Sequence, residues 1–404
     1  MDAVALIVGS VLPWLAGTAG LVALRERTRA LDAPGEFAWL AGAGWLVGAF
    51  ALTLWMRALS LAGVPFGRMT IAAPLLVVTA VAAFFAWRRD GRALVDVPAR
   101  NLRVWIDAPG VARAARIAGW VLAATLALRF ALLLAEVLWR PLFPWDAWTQ
   151  WATKARVWYE LGHIAPFVDA NAWLAGNGTA WFDAAPAHPP TLPLLQVWMC
   201  VVLGRWDDAL MNLPWWLVAV ALALSVYGAL RRIGAPRAHA FAGTFLVSTL
   251  PLANAHVALA GYGDLPLAAY YTAAVLAFLR WHVTRDRSEA VLAAILALAC
   301  TQIRDPGLGW ALTLVPGIVV ALAPARGMRI VGVAAAVVLL ALAALTRTSP
   351  VAFGHPLHLA FTADWAGLGE SAFLLGSWNL LWFGAIGAAL VAGRALIAPA
   401  LAPL

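Results

Sequence analysis

Charge is scarce in this sequence. Of its 404 residues only 12% are Asp, Glu, Lys or Arg, against 63% hydrophobic, and the mean hydropathy is +0.83. That leaves too little polar surface to cover a soluble monomer. Lysine is almost missing: Lys154 is the only one, and the other basic residues are arginines. Cysteine is limited to Cys200 and Cys300, both inside apolar runs, so a disulfide framework is not indicated and neither redox compartment is implied. No basic stretch precedes the first apolar run after Met1-Asp2-Ala3-Val4, so the start reads as a first span and not as a cleavable signal. There is no internal repeat and no low-complexity linker. The formal net charge of +8 does not indicate nucleic acid, because the arginines are scattered among short loops.

What is present is a succession of apolar runs. Runs of about 20 residues are long enough to cross the hydrocarbon core as helices, and the alternation of a β-barrel is missing. The runs predict an all-α polytopic membrane protein of about eleven spans: 3–24, 37–61, 70–87, 117–138, 212–230, 240–257, 265–283, 288–303, 307–323, 330–346 and 371–392. A twelfth run, 191–204, is too short to cross upright and reads as a re-entrant or interfacial helix.

Arginine then orients the bundle. The clusters Arg25, Arg27 and Arg29; Arg88, Arg89, Arg92, Arg100, Arg103, Arg113 and Arg116; Arg231, Arg232 and Arg237; Arg280, Arg285 and Arg287; and Arg326 and Arg329 all fall on one side if residues 191–204 do not span. The positive-inside rule makes that side cytoplasmic, with the N-terminus outside and the C-terminus inside. Acids collect opposite: Asp146, Glu160, Asp169, Asp183, Asp207, Asp208, Asp264, Asp305, Asp364 and Glu370.

The longest outer loop, 139–190, holds the densest chemistry. After Pro144 a helix would place Trp148, Trp151, Ala155 and Trp158 on one face, in the membrane interface, and Asp146, Gln150 and Lys154 on another, facing an outer cavity. Asp146 follows a Pro-Trp corner, where it serves as a helix cap, as a catalytic carboxylate, or as both. Lys154 reflects either an arginine-favouring composition or a positional need for a compact ammonium. Arg140 and Arg156 add cations. His188, before Pro189-Pro190, starts the short apolar helix, where free amides can receive an anion; it reads as an anion donor, a metal ligand or simply a polar interface residue. Two further corners, Gly261-Tyr262-Gly263-Asp264 and Gln302-Ile303-Arg304-Asp305, place Asp264, Arg304 and Asp305 at one depth, as caps and ion pairs or as part of a hydrated cavity. His355 and His358 are a weak metal signal.

The order Trp145-Asp146-Ala147-Trp148 with Lys154-Ala155, then His188-Pro189-Pro190 with Leu192-Pro193-Leu194-Leu195, then Gly204-Arg205-Trp206-Asp207-Asp208, then Gly261-Tyr262-Gly263-Asp264-Leu265-Pro266-Leu267 resembles the GT-C superfamily of membrane glycosyltransferases. Its members include the protein O-mannosyltransferases and the lipid A aminoarabinose transferases. The likeness covers about residues 117–320 and rests on order and spacing together. It divides the chain into a three-helix N-terminal segment, 1–116, and a GT-C-like membrane domain, 117–404. It implies an inverting transfer of a sugar from a polyprenyl-phosphate donor to a glycan, lipid or protein acceptor. The reaction would take place on the outer face of the cell (inner) membrane, with Asp146 as the catalytic carboxylate and His188-Pro189-Pro190 as the basic-plus-proline segment. The chain departs from the pattern in Thr301-Gln302-Ile303-Arg304-Asp305-Pro306-Gly307, which lacks the family's lysine, and in the three spans that precede the catalytic domain.

The chemistry is consistent with the residues alone. A base takes the acceptor proton, and cations such as Lys154, Arg156, Arg140 and His188, with Gln150, Asp264, Arg304 and Asp305 in support, meet the departing phosphate; a divalent metal ion can share that duty. The main alternative is a multi-pass transporter or lipid flippase, which would also use intramembrane charge and a re-entrant segment.

Overall fold

A computed structural model describes residues 2–25, 30–94, 96–97, 113–176, 180–345, 351–352, 355–356 and 364–393. Arg27, Arg29, Arg100, Arg103 and His358 lie outside the described residues, as does the side chain of His355. The chain is mostly helical, as a backbone without water must be. It opens with four long helices, α1 (Asp2–Leu24), α2 (Glu36–Leu61), α3 (Arg68–Asp90) and α4 (Arg113–Trp139). A π-helical turn, Ala147–Trp151, then leads into α5 (Ala152–Leu161), followed by β1 (Phe167–Val168), α6 (Ala170–Ala175) and β2 (Trp181–Phe182). Next come α7 (Thr191–Leu203), α8 (Leu213–Arg232), α9 (Arg237–Ser248), α10 (Pro251–Ala258), α11 (Asp264–Thr284) and α12 (Arg287–Thr301).

Two compact units emerge: Met1–Trp281 with Arg285–Leu308, and His282–Thr284 with Gly309–Leu404. The boundary falls in α13 (Gly307–Leu312). The second unit holds α14 (Leu314–Leu322), α15 (Pro324–Leu345), a two-residue antiparallel ladder of β3 (Val351–Ala352) and β4 (His355–Pro356), α16 (Trp365–Gly369) and α17 (Leu381–Ala392).

Among the described residues, five helices are long and apolar enough to cross a membrane, and a sixth is available if α9 and α10, bent by 57°, form one broken span. This is fewer than the eleven expected from the sequence. The run 288–303 becomes a helix of 15 residues. The run 307–323 breaks at Thr313, because Pro316 cannot follow a helical carbonyl at Leu312. In the run 371–392 only the 12 residues of α17 are α-helical, since Gly376 and Asn379 take positive φ of 72° and 45°.

In the first unit α2 is the most buried span. It meets α1 backbone to backbone: a Cβ on Gly17 would overlap the Gly44 carbonyl, and one on Gly48 would overlap the Pro13 carbonyl. The Gly44-Trp45-Leu46-Val47-Gly48 spacing is the small-residue stripe that lets membrane helices approach closely. On its other face Gly42 lies against Ser225 of α8, and Gly228 of α8 lies against Trp39.

Prolines within these helices leave the carbonyl four residues earlier without an amide, and indole N–H groups fill the vacancy. Pro13 frees the Gly9 carbonyl, which accepts from Trp198 Nε1 at 2.8 Å. Pro74 frees that of Thr70, which accepts from Trp55 Nε1 at 3.0 Å. At the start of α11, the Tyr262 carbonyl before Pro266 accepts from Trp215 Nε1 at 2.7 Å.

Helix-end contacts identify the two ends of the unit. At one end Arg25 pairs with Asp90 at 2.5 Å, Arg232 pairs with Glu36 at 3.1 Å and with Glu289, and Arg280 donates to the Arg232 carbonyl. At the other end Arg205 pairs with Asp2 at 2.9 Å, and the Ile164 and Phe66 amides donate to Ser60 Oγ and the Gly162 carbonyl. Both ends of α7 dock at this second end. Arg57, one turn before the end of α2, donates to Thr191 Oγ1 at 2.6 Å, and Arg68, the first residue of α3, donates to the Val201 carbonyl at 3.0 Å. A 13-residue helix about 20 Å long whose two ends meet the same end of its neighbours does not cross alongside them. All 13 of its residues are buried.

Candidate functional site

The site forms where the 139–190 segment covers α7. Past α4 the chain turns at Pro141 and Pro144, and the π-helical turn Ala147–Trp151 inserts one extra residue before α5. The insertion rotates the faces expected from regular helical spacing. Trp151, Ala155 and Trp158 share a buried face, with Trp158 Nε1 donating to the Ala165 carbonyl at 2.8 Å, whereas Trp148 is 47% exposed and stacks edge-on against exposed Trp145 at 5.3 Å. Trp139, Trp145 and Trp148 are exposed, and the expected stripe is split between core and surface. Lys154, expected to face an open cavity, is buried instead.

Asp146 stands at the head of the π turn, half-buried, and makes no side-chain cap hydrogen bond. The capping role open to it in the sequence is thus not used. The adjacent Ala147 is seated on Gly261, whose φ of 110° and lack of a Cβ allow the 261–263 turn to lie against the π turn. Gly263 in turn faces Trp151, Leu192 and the Arg304 side chain.

That packing joins the corners at Asp264 and Asp305. Arg304 pairs with Asp264 across the corners, and His256 Nε2 lies 3.9 Å from the same carboxylate. Asp305 pairs with His188, Oδ2 to Nδ1 at 2.7 Å, and the His188 ring lies flat on Trp151 with centroids 4.7 Å apart and planes 9° apart. A carboxylate at Nδ1 must accept, so it fixes the tautomer and leaves Nε2 as the ring's outward nitrogen. The structure thus brings together His188, Asp264, Arg304 and Asp305 around Trp151, next to the turn that carries Asp146. Gln150 sits half-buried on that turn.

Beneath lies a residue that the sequence does not single out. β1 and β2 pair in parallel, and the ladder continues with the Asp183 amide donating to the Val168 carbonyl at 3.2 Å. Asp183 is completely buried: Oδ1 accepts from the Ala185 amide at 2.6 Å and lies 3.7 Å from Lys154 Nζ, while Oδ2 has no hydrogen-bond partner. Lys154 Nζ donates to the Ala185 carbonyl at 2.6 Å. Burial holds the Lys154 ammonium below its ordinary range and pushes the Asp183 carboxyl up, and their mutual attraction opposes both shifts. The only lysine is therefore one half of a buried pair under the site. Twenty-eight intervening residues separate it in sequence from its partner, so no local spacing announces the pair.

Two expected cations point elsewhere. Arg140, just past the end of α4, pairs with Glu136 of that helix, and Arg156 pairs with Glu160 at 2.7 Å and covers the Trp206 ring. The start of α7 is closed: Thr191 is buried under Arg57, which also donates to Gln302 Oε1 at 2.7 Å, so its amides are not an open anion site. Among the described residues no group of three or more His, Cys, Asp and Glu side chains is arranged to hold a metal ion. Comparison with protein families, characterised proteins and solved structures finds no match to this chain.

Proposed function

We propose that the chain is a membrane glycosyltransferase of GT-C type that moves a sugar from a polyprenyl-phosphate donor to a glycan, lipid or protein acceptor on the outer face of the cell membrane. The observation that carries the proposal is Asp146: a carboxylate free of side-chain capping, set between exposed tryptophans and beside the paired corners of Arg304 and His188. A base needs such freedom to take a hydroxyl proton. The Arg304 guanidinium can meet the negative charge that grows on a departing lipid phosphate.

The exposure of Trp139, Trp145 and Trp148 supports a site at headgroup level, where the phosphate of a lipid-borne sugar sits. The buried Lys154–Asp183 pair acts as a floor that fixes the π turn and the loop carrying His188.

Mass spectrometry of surface glycans in cells lacking the chain, and in the same cells complemented with it, tests the function. Loss of one sugar substituent that returns on complementation supports transfer. Unchanged glycans with altered movement of a labelled lipid across the membrane would favour a flippase instead.

A further inference from the structure

At the arginine-rich end of the first unit, opposite the candidate site, a cavity of about 460 Å³ opens between the start of α2, the middle of α4, the last turns of α8 and the first turn of α9. Its polar groups gather at one side: Arg231 and Tyr227, one turn apart on α8, Arg237 at the first position of α9, and Asp32 as the one acid in the lining. The rest of the wall is apolar, with Phe37, Leu126 and Phe241 prominent. Gly35 builds the junction. Its φ of 80° and missing side chain let the chain before α2 lie directly on Arg231 and Gly228, and the Arg231 guanidinium is steadied by donating to the Ala235 carbonyl at 2.5 Å.

We infer that this cavity binds the phosphate headgroup of an anionic phospholipid of the inner leaflet. Two arginines against one aspartate leave the polar side net positive, and guanidinium groups match phosphate oxygens in pairs. A soluble anion would need only that polar side; the apolar remainder fits the glycerol and first methylenes of an acyl chain. Basic pockets between membrane helices on the cytoplasmic side are where anionic lipid headgroups bind.

The test uses the full chain in nanodiscs of phosphatidylcholine, titrated with a fluorescent phosphatidylglycerol. The expected result is saturable binding, displaced by unlabelled phosphatidylglycerol at least tenfold more effectively than by phosphatidylcholine, and not displaced by millimolar inorganic phosphate. Arg231→Gln with Arg237→Gln should weaken binding at least tenfold. So should Ala223→Phe, which fills the cavity and leaves both arginines in place, whereas Arg205→Gln at the opposite end should change nothing. Equal displacement by the two lipids, displacement by inorganic phosphate alone, or wild-type affinity in folded cavity variants would overturn the assignment. The lipid selectivity of the wild-type chain decides the matter even if a variant fails to fold.

Discussion

Trp198 on α7 donates its indole N–H to the Gly9 carbonyl on α1, the group that Pro13 leaves without an amide partner. One hydrogen bond thus repairs a helix interrupted by proline and fastens the in-plane helix to the bundle. Replacing Trp198 with Phe keeps most of the ring and removes the donor, and a buried carbonyl left unmatched costs about 1–3 kcal/mol. Pro13→Ala restores an amide to that carbonyl. Thermal unfolding in detergent should therefore show a lower Tm for Trp198→Phe and a smaller loss when Pro13→Ala is present. Strict additivity of the two substitutions would disprove the link.

The Lys154–Asp183 pair should behave as one unit. Removing a single member leaves a buried charge without its partner, at a cost of about 3–5 kcal/mol. Lys154→Met and Asp183→Asn should each destabilise strongly, and the double variant should lose much less than the sum. A double-mutant cycle by denaturant unfolding measures the coupling, and a value near zero would mean the two groups do not interact.

The same pair sets a pH dependence with a defined sign. Burial raises the Asp183 pKa above its ordinary 3.8, so the folded chain holds a proton that the unfolded chain has released. Its contribution to stability is complete below 3.8 and is lost as the pH rises through the folded-state value. Lys154 is shifted the other way; its contribution is complete above 10.5 and is lost as the pH falls through its lowered value. Relative to the Lys154→Met, Asp183→Asn double variant, the wild type should lose stability as the pH climbs above 3.8. A difference that stays flat with pH would show that burial shifts neither group.

The helical membrane class and the short apolar run at 191–204 were legible because hydropathy and run length register directly in sequence. The partners were not. Arg304 and Asp305 are adjacent in sequence, yet each pairs away from the other, with Asp264 and His188, because the turn at Gly261 brings three distant loops together. The Trp148 to Trp158 stripe was misread because a π turn adds one residue that no composition signals. Asp183 was missed because its role depends on a two-residue parallel ladder, too short to leave a pattern. The number of spans was overread because Pro316 and Gly376 interrupt apolar runs that hydropathy alone treats as continuous.

The most direct test of the account is release of polyprenyl phosphate from a polyprenyl-phosphate sugar by the purified chain in liposomes with acceptor, comparing wild type with Asp146→Asn. The substitution keeps size and hydrogen-bonding shape and removes the base, so turnover should fall about 10²- to 10⁴-fold while the thermal midpoint is unchanged. Asp146→Asn turning over at the wild-type rate would contradict the account.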